Sequence, residues 1–420
     1  MQGISMFFPV GDPDFYALLF IFINILFVLF YLFRINHTIF SALIFMGFLL
    51  RVVLMFADYY HWFPILNSGA DTERFNRLAL KNAYDPGFEI GGYVGFLRII
   101  YTLTDASRLI AQYVNVLFGL GLIIVVYKTL ILLDISHKLT QNVLLIVIFL
   151  PNLIIFSGIL LREAWVEFFV AASVFYFLKW YKNGGYWHQI AVIGCVLAGA
   201  YMHSGVIGLL VGYIVAFLSY TPSSGKLSFS GSTIASLIVL GGLLIVFMSY
   251  GDLFTKKFAD YDFESEEDFL NKVNKSIGGG SDYLTWINTN SVFQGFLFAP
   301  LKMFYFLFSP LPTEWRGAND IIGFLIDGAL YLYLCVQIFR AKITNQVQER
   351  FLKRYLIAAL ALTTFVFAYG TSNAGTAFRH RAKIVSLIIV TYAISVNFSN
   401  KNKNNYIVDD TSTSGFCTDG

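Results

Sequence analysis

Charged side chains that could perform chemistry lie in a few short stretches of this sequence, each flanked by long apolar runs. The stretch NSGADTERFNRLA carries Asp71, Glu73 and Arg74, and the stretch SGILLREAWVE carries Arg162 and Glu163. Three further stretches, AYMHSG, PTEWRGAND and GTSNAGTAFRHRAK, contribute His203, Arg316, Arg379, His380 and Arg381. An ionisable group at bilayer depth is costly unless it is paired or hydrated, so each of these residues is a candidate functional residue.

Arginine and histidine side chains in such positions suit an anionic ligand, because guanidinium groups bind phosphate oxygens in a bidentate manner. A lipid phosphate or lipid pyrophosphate fits, with its tail between helices and its charge on the basic side chains. A nearby carboxylate, for which we choose Asp71, would deprotonate a sugar hydroxyl and make it a better nucleophile. The leaving phosphate would then be stabilised by Arg379 and Arg381 or by a metal ion.

The spacing of Asp71 and Glu73 bears on whether a metal ion is bound. Alternate residues do not share a helix face, so joint coordination of a divalent metal ion would require a loop or a helix end. The same two carboxylates could instead start an amphipathic helix, since RFNRLALK follows them. Cys195, Cys335 and Cys417 lie far apart and indicate neither a disulfide framework nor a metal cluster. A divalent metal ion stays open as a cofactor, without assigned ligands.

The composition determines the class of protein that must position these groups. Of 420 residues, 57% are apolar and only 13% are charged, with a mean hydropathy of +0.66. Soluble domains average roughly 45–50% apolar and about 25% charged residues. We therefore predict an all-α, polytopic transmembrane bundle whose partner is the lipid bilayer, with no nucleic acid bound. A cytosolic enzyme, a disordered protein and a secreted disulfide scaffold are excluded.

Membrane spans require about 20 mostly apolar residues. By this criterion we predict eleven spans, at residues 15–34, 37–56, 109–131, 141–158, 163–180, 188–203, 205–221, 231–250, 319–339, 355–371 and 383–398. Residues 1–400 then form a single transmembrane domain, and residues 401–420 a disordered cytoplasmic tail. Two large extracytoplasmic loops, 57–108 and 251–318, are expected to contain short helices.

Lysine and arginine residues in short loops predict the orientation. The N-terminus is placed outside and the C-terminus inside, provided that segment 290–310 is re-entrant or interfacial, since Pro300 and Lys302 interrupt it. The candidate residues then all lie toward the outer face. Neither a Walker A sequence nor a GxGxxG after a strand is found, so we expect no direct use of a nucleotide sugar.

Several of these stretches, taken in order, resemble the GT-C membrane glycosyltransferases. Gly69 to Phe75 (GADTERF) looks like their modified DxD motif, and Ser157 to Glu163 (SGILLRE) looks like a junction in bacterial surface-polysaccharide members. Phe308 to Pro312 (FSPLP) and Gly375 to Arg381 (GTAFRHR) are also similar to pieces of those proteins, the last to an R-x-R before the final span.

The resemblance implies a function and roles for particular residues. A sugar would pass from a polyprenyl-phosphate-linked donor to a glycan or lipid-linked acceptor on the extracytoplasmic face of the bacterial inner membrane. Asp71 would be the catalytic base and Glu73 its neighbour or a metal ligand. Arg162, Arg379 and Arg381 would contact the lipid phosphate.

Two other functions stay open at this point. A Wzy-type repeat-unit polymerase also has many spans and two large outer loops; its RX10G pattern occurs once, from Arg108 to Gly119, which is unsurprising among 34 glycines. A flippase for lipid-linked sugars would place polar residues near mid-span and repeat its halves. We find no repeat, and Arg51 is the main charge inside a span.

Overall fold

A computed structural model describes residues 13–35, 37–65, 68–84, 92–222, 281–287, 292–342 and 346–413. Within these ranges the chain is helical and contains no strand. The helices are α1 Pro13–Phe33, α2 Thr38–Tyr59, α3 Ala70–Tyr84, α4 Tyr93–Leu103, α5 Arg108–Leu132, α6 His137–Phe149, α7 Pro151–Gly158, α8 Glu163–Asn183, α9 Tyr186–Met202, α10 Ile207–Ser219, α11 Val292–Phe308, α12 Ala318–Gly323, α13 Ala329–Arg340, α14 Val347–Tyr369, α15 Ala374–Ala382 and α16 Val385–Thr413.

Five helical segments of the described chain are long and apolar enough to cross a membrane. They are Asp14–Phe33, Thr38–Tyr59, Arg108–Leu132, Asp320–Arg340 and Val347–Tyr369. Two bent pairs also qualify if each counts as one span: α6 with α7, bent by 49°, and α15 with Val385–Asn400, bent by 60°. The chain is therefore a multi-pass membrane protein whose described part is all-helical and holds five to seven candidate spans, as its composition predicts in outline.

The eleven predicted spans and the layout of the loops are not confirmed. The predicted span 163–180 corresponds to α8, whose sequence carries four charged residues, and 188–203 and 205–221 correspond to short helices. Span 231–250 and half of the 251–318 loop, residues 251–280 and 288–291, lie outside the described residues. Helices α3 and α4 lie within the predicted 57–108 loop. The orientation and the division into domain and tail stay predictions.

The segment predicted as re-entrant or interfacial forms helix α11, which continues through Pro300. Its 17 residues extend about 26 Å at 1.5 Å per residue, slightly less than the roughly 30 Å of a bilayer core. Lys302, on this helix, is buried, and its Nζ lies 5.4 Å from the ring centre of Tyr369. Whether α11 crosses the bilayer stays a prediction.

Helices α10 and α14 pack against each other through small residues. A Cβ on Gly212 would lie 3.0 Å from both Cα and Cβ of Ala359, and one on Gly208 would lie 3.1 Å from Cα of Thr363. Glycines four residues apart share a helix face, and in membranes such pairs let two backbones approach closely. This contact fixes the position of α14, whose C-terminal end leads into the charged stretch 371–383.

We expect Gly212→Ala to lower the thermal unfolding midpoint of the detergent-solubilised protein. Alanine favours a helix by about 1 kcal/mol over glycine, but overpacking at a tight contact costs about 1–3 kcal/mol. Gly194→Ala is the matched control, because a Cβ there meets no atom of the described chain within 4 Å. Equal shifts for the two variants would contradict the close approach of α10 and α14.

Candidate functional site

Successive charged side chains of helix α15 contact different neighbours. Helix α15 is capped by Asn373, whose side chain accepts a hydrogen bond of 3.1 Å from the backbone N–H of Thr376. Consecutive residues of an α-helix are rotated by about 100°. Arg379, His380 and Arg381 therefore leave the helix in three directions, and each contacts a different part of the molecule.

Arg379 connects the first charged stretch to the second. One terminal nitrogen of its guanidinium contacts a carboxylate oxygen of Asp71, and the other donates to Oε1 of Glu163 at 3.0 Å. The Asp71 side chain is 46% exposed and that of Glu163 only 1%, with Arg379 between them at 21%. The pair of contacts thus leads from a solvent-accessible carboxylate to a fully buried one.

Glu163, the first residue of α8, is compensated by more than one cation. Its Oε1 also lies 3.4 Å from Nζ of the buried Lys383, and Arg162 acts on it electrostatically. Among the described residues its Oε2 has no hydrogen-bond partner. With Asp71 included, three basic side chains face two carboxylates, an arrangement suited to an anion.

The backbone turn before Glu163 is held by buried polar side chains. Asn115 of α5 donates to the carbonyl oxygens of Ile159 at 2.7 Å and Leu161 at 2.9 Å. The indole N–H of Trp165 donates in turn to Oδ1 of Asn115 at 2.7 Å. Because all of these groups are buried, the turn between α7 and α8 has a defined position, and so does the Glu163 carboxylate.

Two histidines adjoin the cluster in a directional hydrogen-bond chain. The N–H of Gly205 donates to Nδ1 of His203 at 3.3 Å, which assigns the proton of a neutral His203 to Nε2. That Nε2 lies 3.3 Å from Nε2 of His380, whose Nδ1 lies 3.2 Å from the hydroxyl oxygen of Thr371. With both rings neutral, His380 accepts at Nε2 and donates from Nδ1 to Thr371, whose hydroxyl donates to the carbonyl of Phe367.

Glu73 has a different partner from Asp71. Its carboxylate lies 2.7 Å from the guanidinium of Arg108, the first residue of α5, which is also 3.9 Å from Asp58. The side-chain amide of Gln112 donates to Asp58 at 2.5 Å. The two carboxylates on the first turn of α3 are thus each paired with an arginine of a different helix. Arg74, the residue after Glu73, is exposed.

Arg381 lies apart from this cluster in a closed, fully buried pair. Its guanidinium contacts Asp327 and donates to the carbonyl oxygens of Leu307 at 3.2 Å and Ser309 at 2.6 Å. Asp327 belongs to a π-helical turn, Phe324–Gly328, which directs its side chain to Arg381. Arg381 thus contacts the end of α11 and the turn before α13.

Arg316 also lies apart, in an exposed ion pair with Asp320. Its Nη2 lies 2.9 Å from Oδ1 of Asp320 four residues later. The hydrogen bond to that carboxylate raises the pKa of Arg316. Of the predicted site residues, the structure therefore brings Asp71, Glu163 and Arg379 into direct contact, with Arg162, His203 and His380 beside them. Glu73, Arg74, Arg316 and Arg381 have other surroundings.

The predicted site did not include Lys383, Arg108 or Glu167, although Lys383 and Glu167 belong to two of the charged stretches that supplied its residues. The signal for Lys383 was its spacing of four residues from Arg379, which predicts the same helix face. Arg108 gave no such signal, because it directly precedes the predicted span 109–131. Glu167 lies one turn after Glu163, fully buried, and within the described residues neither of its carboxylate oxygens has a hydrogen-bond partner. Arg51, also buried, donates to backbone carbonyls and acts electrostatically on Glu167.

No protein-family model, curated protein or solved structure matches this chain. Within the part of the chain that the structure describes, no group of three or more His, Cys, Asp and Glu side chains is placed to hold a metal ion. Asp71 and Glu73 contact separate arginines, an arrangement that does not present them jointly to a divalent cation. The case for a function therefore depends on the geometry of the cluster alone.

Arg381→Met is expected to destabilise the protein by about 3–5 kcal/mol, because it leaves the carboxylate of Asp327 buried without its cation. Combining it with Asp327→Asn should recover part of that loss. Arg316→Met removes an exposed pair and should change the unfolding midpoint little. Thermal unfolding in one detergent compares the three variants, and a stable Arg381→Met protein would show that the buried pair is not structural.

Proposed function

We propose that the chain is a membrane glycosyltransferase of surface-polysaccharide synthesis. It would transfer a sugar from a polyprenyl-phosphate-linked donor to a glycan or lipid-linked acceptor on the extracytoplasmic face of the bacterial inner membrane. The observation that supports this most is the bridging position of Arg379, between the half-exposed Asp71 and the buried Glu163. It offers a phosphate-binding cation and a carboxylate base at one place.

The cation side of the proposal concerns the leaving group. Arg379 and Lys383 contact Glu163, and Arg162 adjoins them, so three basic side chains surround one buried carboxylate. A phosphate or diphosphate bound there would meet preorganised donors in surroundings of low polarity, where such contacts are strong. Negative charge that develops as the sugar–phosphate bond breaks would be stabilised by these donors.

The carboxylate side concerns the acceptor. In the structure the Asp71 carboxylate contacts the Arg379 guanidinium, so the ion pair occupies it. A donor phosphate that binds Arg379 would compete with Asp71 and release it. Asp71 would then take the proton of the acceptor hydroxyl as the oxygen attacks the anomeric carbon and the polyprenyl phosphate leaves. Binding of the donor would thereby activate the base.

A Wzy-type polymerase would use the same chemistry, because it also transfers sugars from a polyprenyl carrier on the outer face. The two functions differ in their product and are distinguished by the glycan of a deletion strain. A complete single repeat unit without chains indicates a polymerase, and a unit that lacks one sugar indicates a single-sugar transferase.

Asp71→Asn should reduce sugar incorporation in isolated membranes by about 10²- to 10⁴-fold, the contribution typical of a general base. The amide keeps the size of the side chain but accepts no proton at neutral pH. Asp320→Asn is the matched control, since it alters a partly exposed aspartate that pairs with Arg316 outside the cluster. Undiminished transfer at equal protein levels would remove Asp71 from the mechanism.

The proposal also requires Asp71 on the extracytoplasmic side and the opposite end of α14 on the cytoplasmic side. In a variant without Cys195, Cys335 and Cys417, a membrane-impermeant maleimide should label Ala70→Cys in intact cells. Lys342→Cys should be labelled only after permeabilisation. Ala70 lies beside Asp71 at the start of α3, and Lys342 precedes α14, whose far end leads to His380. Labelling of both positions from one side would therefore show that α14 does not cross the bilayer.

A further inference from the structure

A groove of about 530 Å³ lies between α10 and the first turns of α14. It is lined by Val215, Val347, Phe351, Ala358, Arg350 and Arg354. The other end of α14 leads to Thr371, which contacts His380 of the candidate site. Since the 23 residues of α14 extend about 34 Å, the groove lies near the membrane surface opposite to that site.

The groove has a basic outer part and an apolar inner part. Arg350 and Arg354 line the outer part, and from Arg354 to Ala358 the helix rises about 6 Å further. Val215 and Val347 are 50% and 61% exposed, so both walls present apolar surface outward. The first methylene groups of one acyl chain fit the apolar inner part.

The polar end of the groove is basic. Arg350, Arg354 and Ala358 follow each other at intervals of four residues, which places them along one face of α14. Phe351 stacks on Tyr220 with ring centres 4.3 Å apart and contacts Tyr355 at 4.0 Å, which forms a rigid aromatic wall beside the arginines. Guanidinium groups beside an apolar groove between membrane helices suit an anionic lipid headgroup.

We propose that this groove is a binding site for an anionic phospholipid of the leaflet opposite to the candidate site. Its phosphate would lie against Arg350 and Arg354 and one acyl chain would extend past Phe351 toward Ala358. The position of the groove favours a bilayer phospholipid over the polyprenyl donor, because the cation cluster lies at the other end of α14. This site is independent of the proposed transferase function.

The test uses the full-length protein in detergent, titrated with dioleoylphosphatidylglycerol and measured by native mass spectrometry. Each arginine near a membrane surface contributes about 1 kcal/mol to anionic lipid binding, so Arg350→Gln with Arg354→Gln should weaken binding about 30-fold. Arg340→Gln with Lys342→Gln is the matched control, as it removes two exposed charges before α14 that do not line the groove.

A third variant separates the groove from a general attraction of charges. Ala358→Trp fills the apolar end without changing the charge and should also weaken binding of phosphatidylglycerol. Dioleoylphosphatidylcholine should bind weakly to the unmodified protein. The proposal would be overturned by equal weakening in the control variant, by undiminished binding to Ala358→Trp, or by equal binding of phosphatidylcholine.

Discussion

The arrangement of the candidate site depends on the compensation of one buried carboxylate. Glu163 is 1% exposed, and a carboxylate at that depth would be strongly destabilising without cations beside it. Arg379 and Lys383 supply those cations from a segment more than 200 residues later in the chain. Helix α15 must therefore pack against the start of α8, and Arg379 then reaches Asp71 from that fixed position.

Arg379 and Arg381 lie on the same short helix but differ in solvent exposure and in their contacts. Arg381 is fully enclosed by Asp327 and backbone carbonyls, so no ligand can reach it without breaking those contacts. Arg379 is partly exposed, and its second partner, Asp71, is half-exposed. An anion can replace Asp71 at modest cost, because the displaced carboxylate returns to water while Glu163 keeps the guanidinium in place.

The sequence allowed the helical membrane class to be predicted, because charged groups in apolar surroundings must find partners. It predicted one site for Asp71, Arg379 and Arg381, whereas the structure places Arg379 between Asp71 and Glu163 and Arg381 beside Asp327. It did not allow the role of Arg381 to be predicted, since the π-helical turn that aims Asp327 at it has no distinctive residue pattern. Periodicity and hydropathy also did not predict the number of spans. Short and bent helices, such as α7 and α15, divide apolar runs in ways that only packing decides.

Several helices end around the cluster, and side chains satisfy the backbone groups that these ends leave free. The uncharged Asn115 side chain donates to the carbonyls of Ile159 and Leu161, beyond the end of α7. Arg162 donates to the carbonyl of Met202 at the end of α9 at 3.2 Å, and Arg381 donates to carbonyls at the end of α11. In an apolar medium an interrupted helix is stable only when such donors are present. The polar residues that terminate the helices thus create the space in which Asp71, Glu163 and Arg379 can meet.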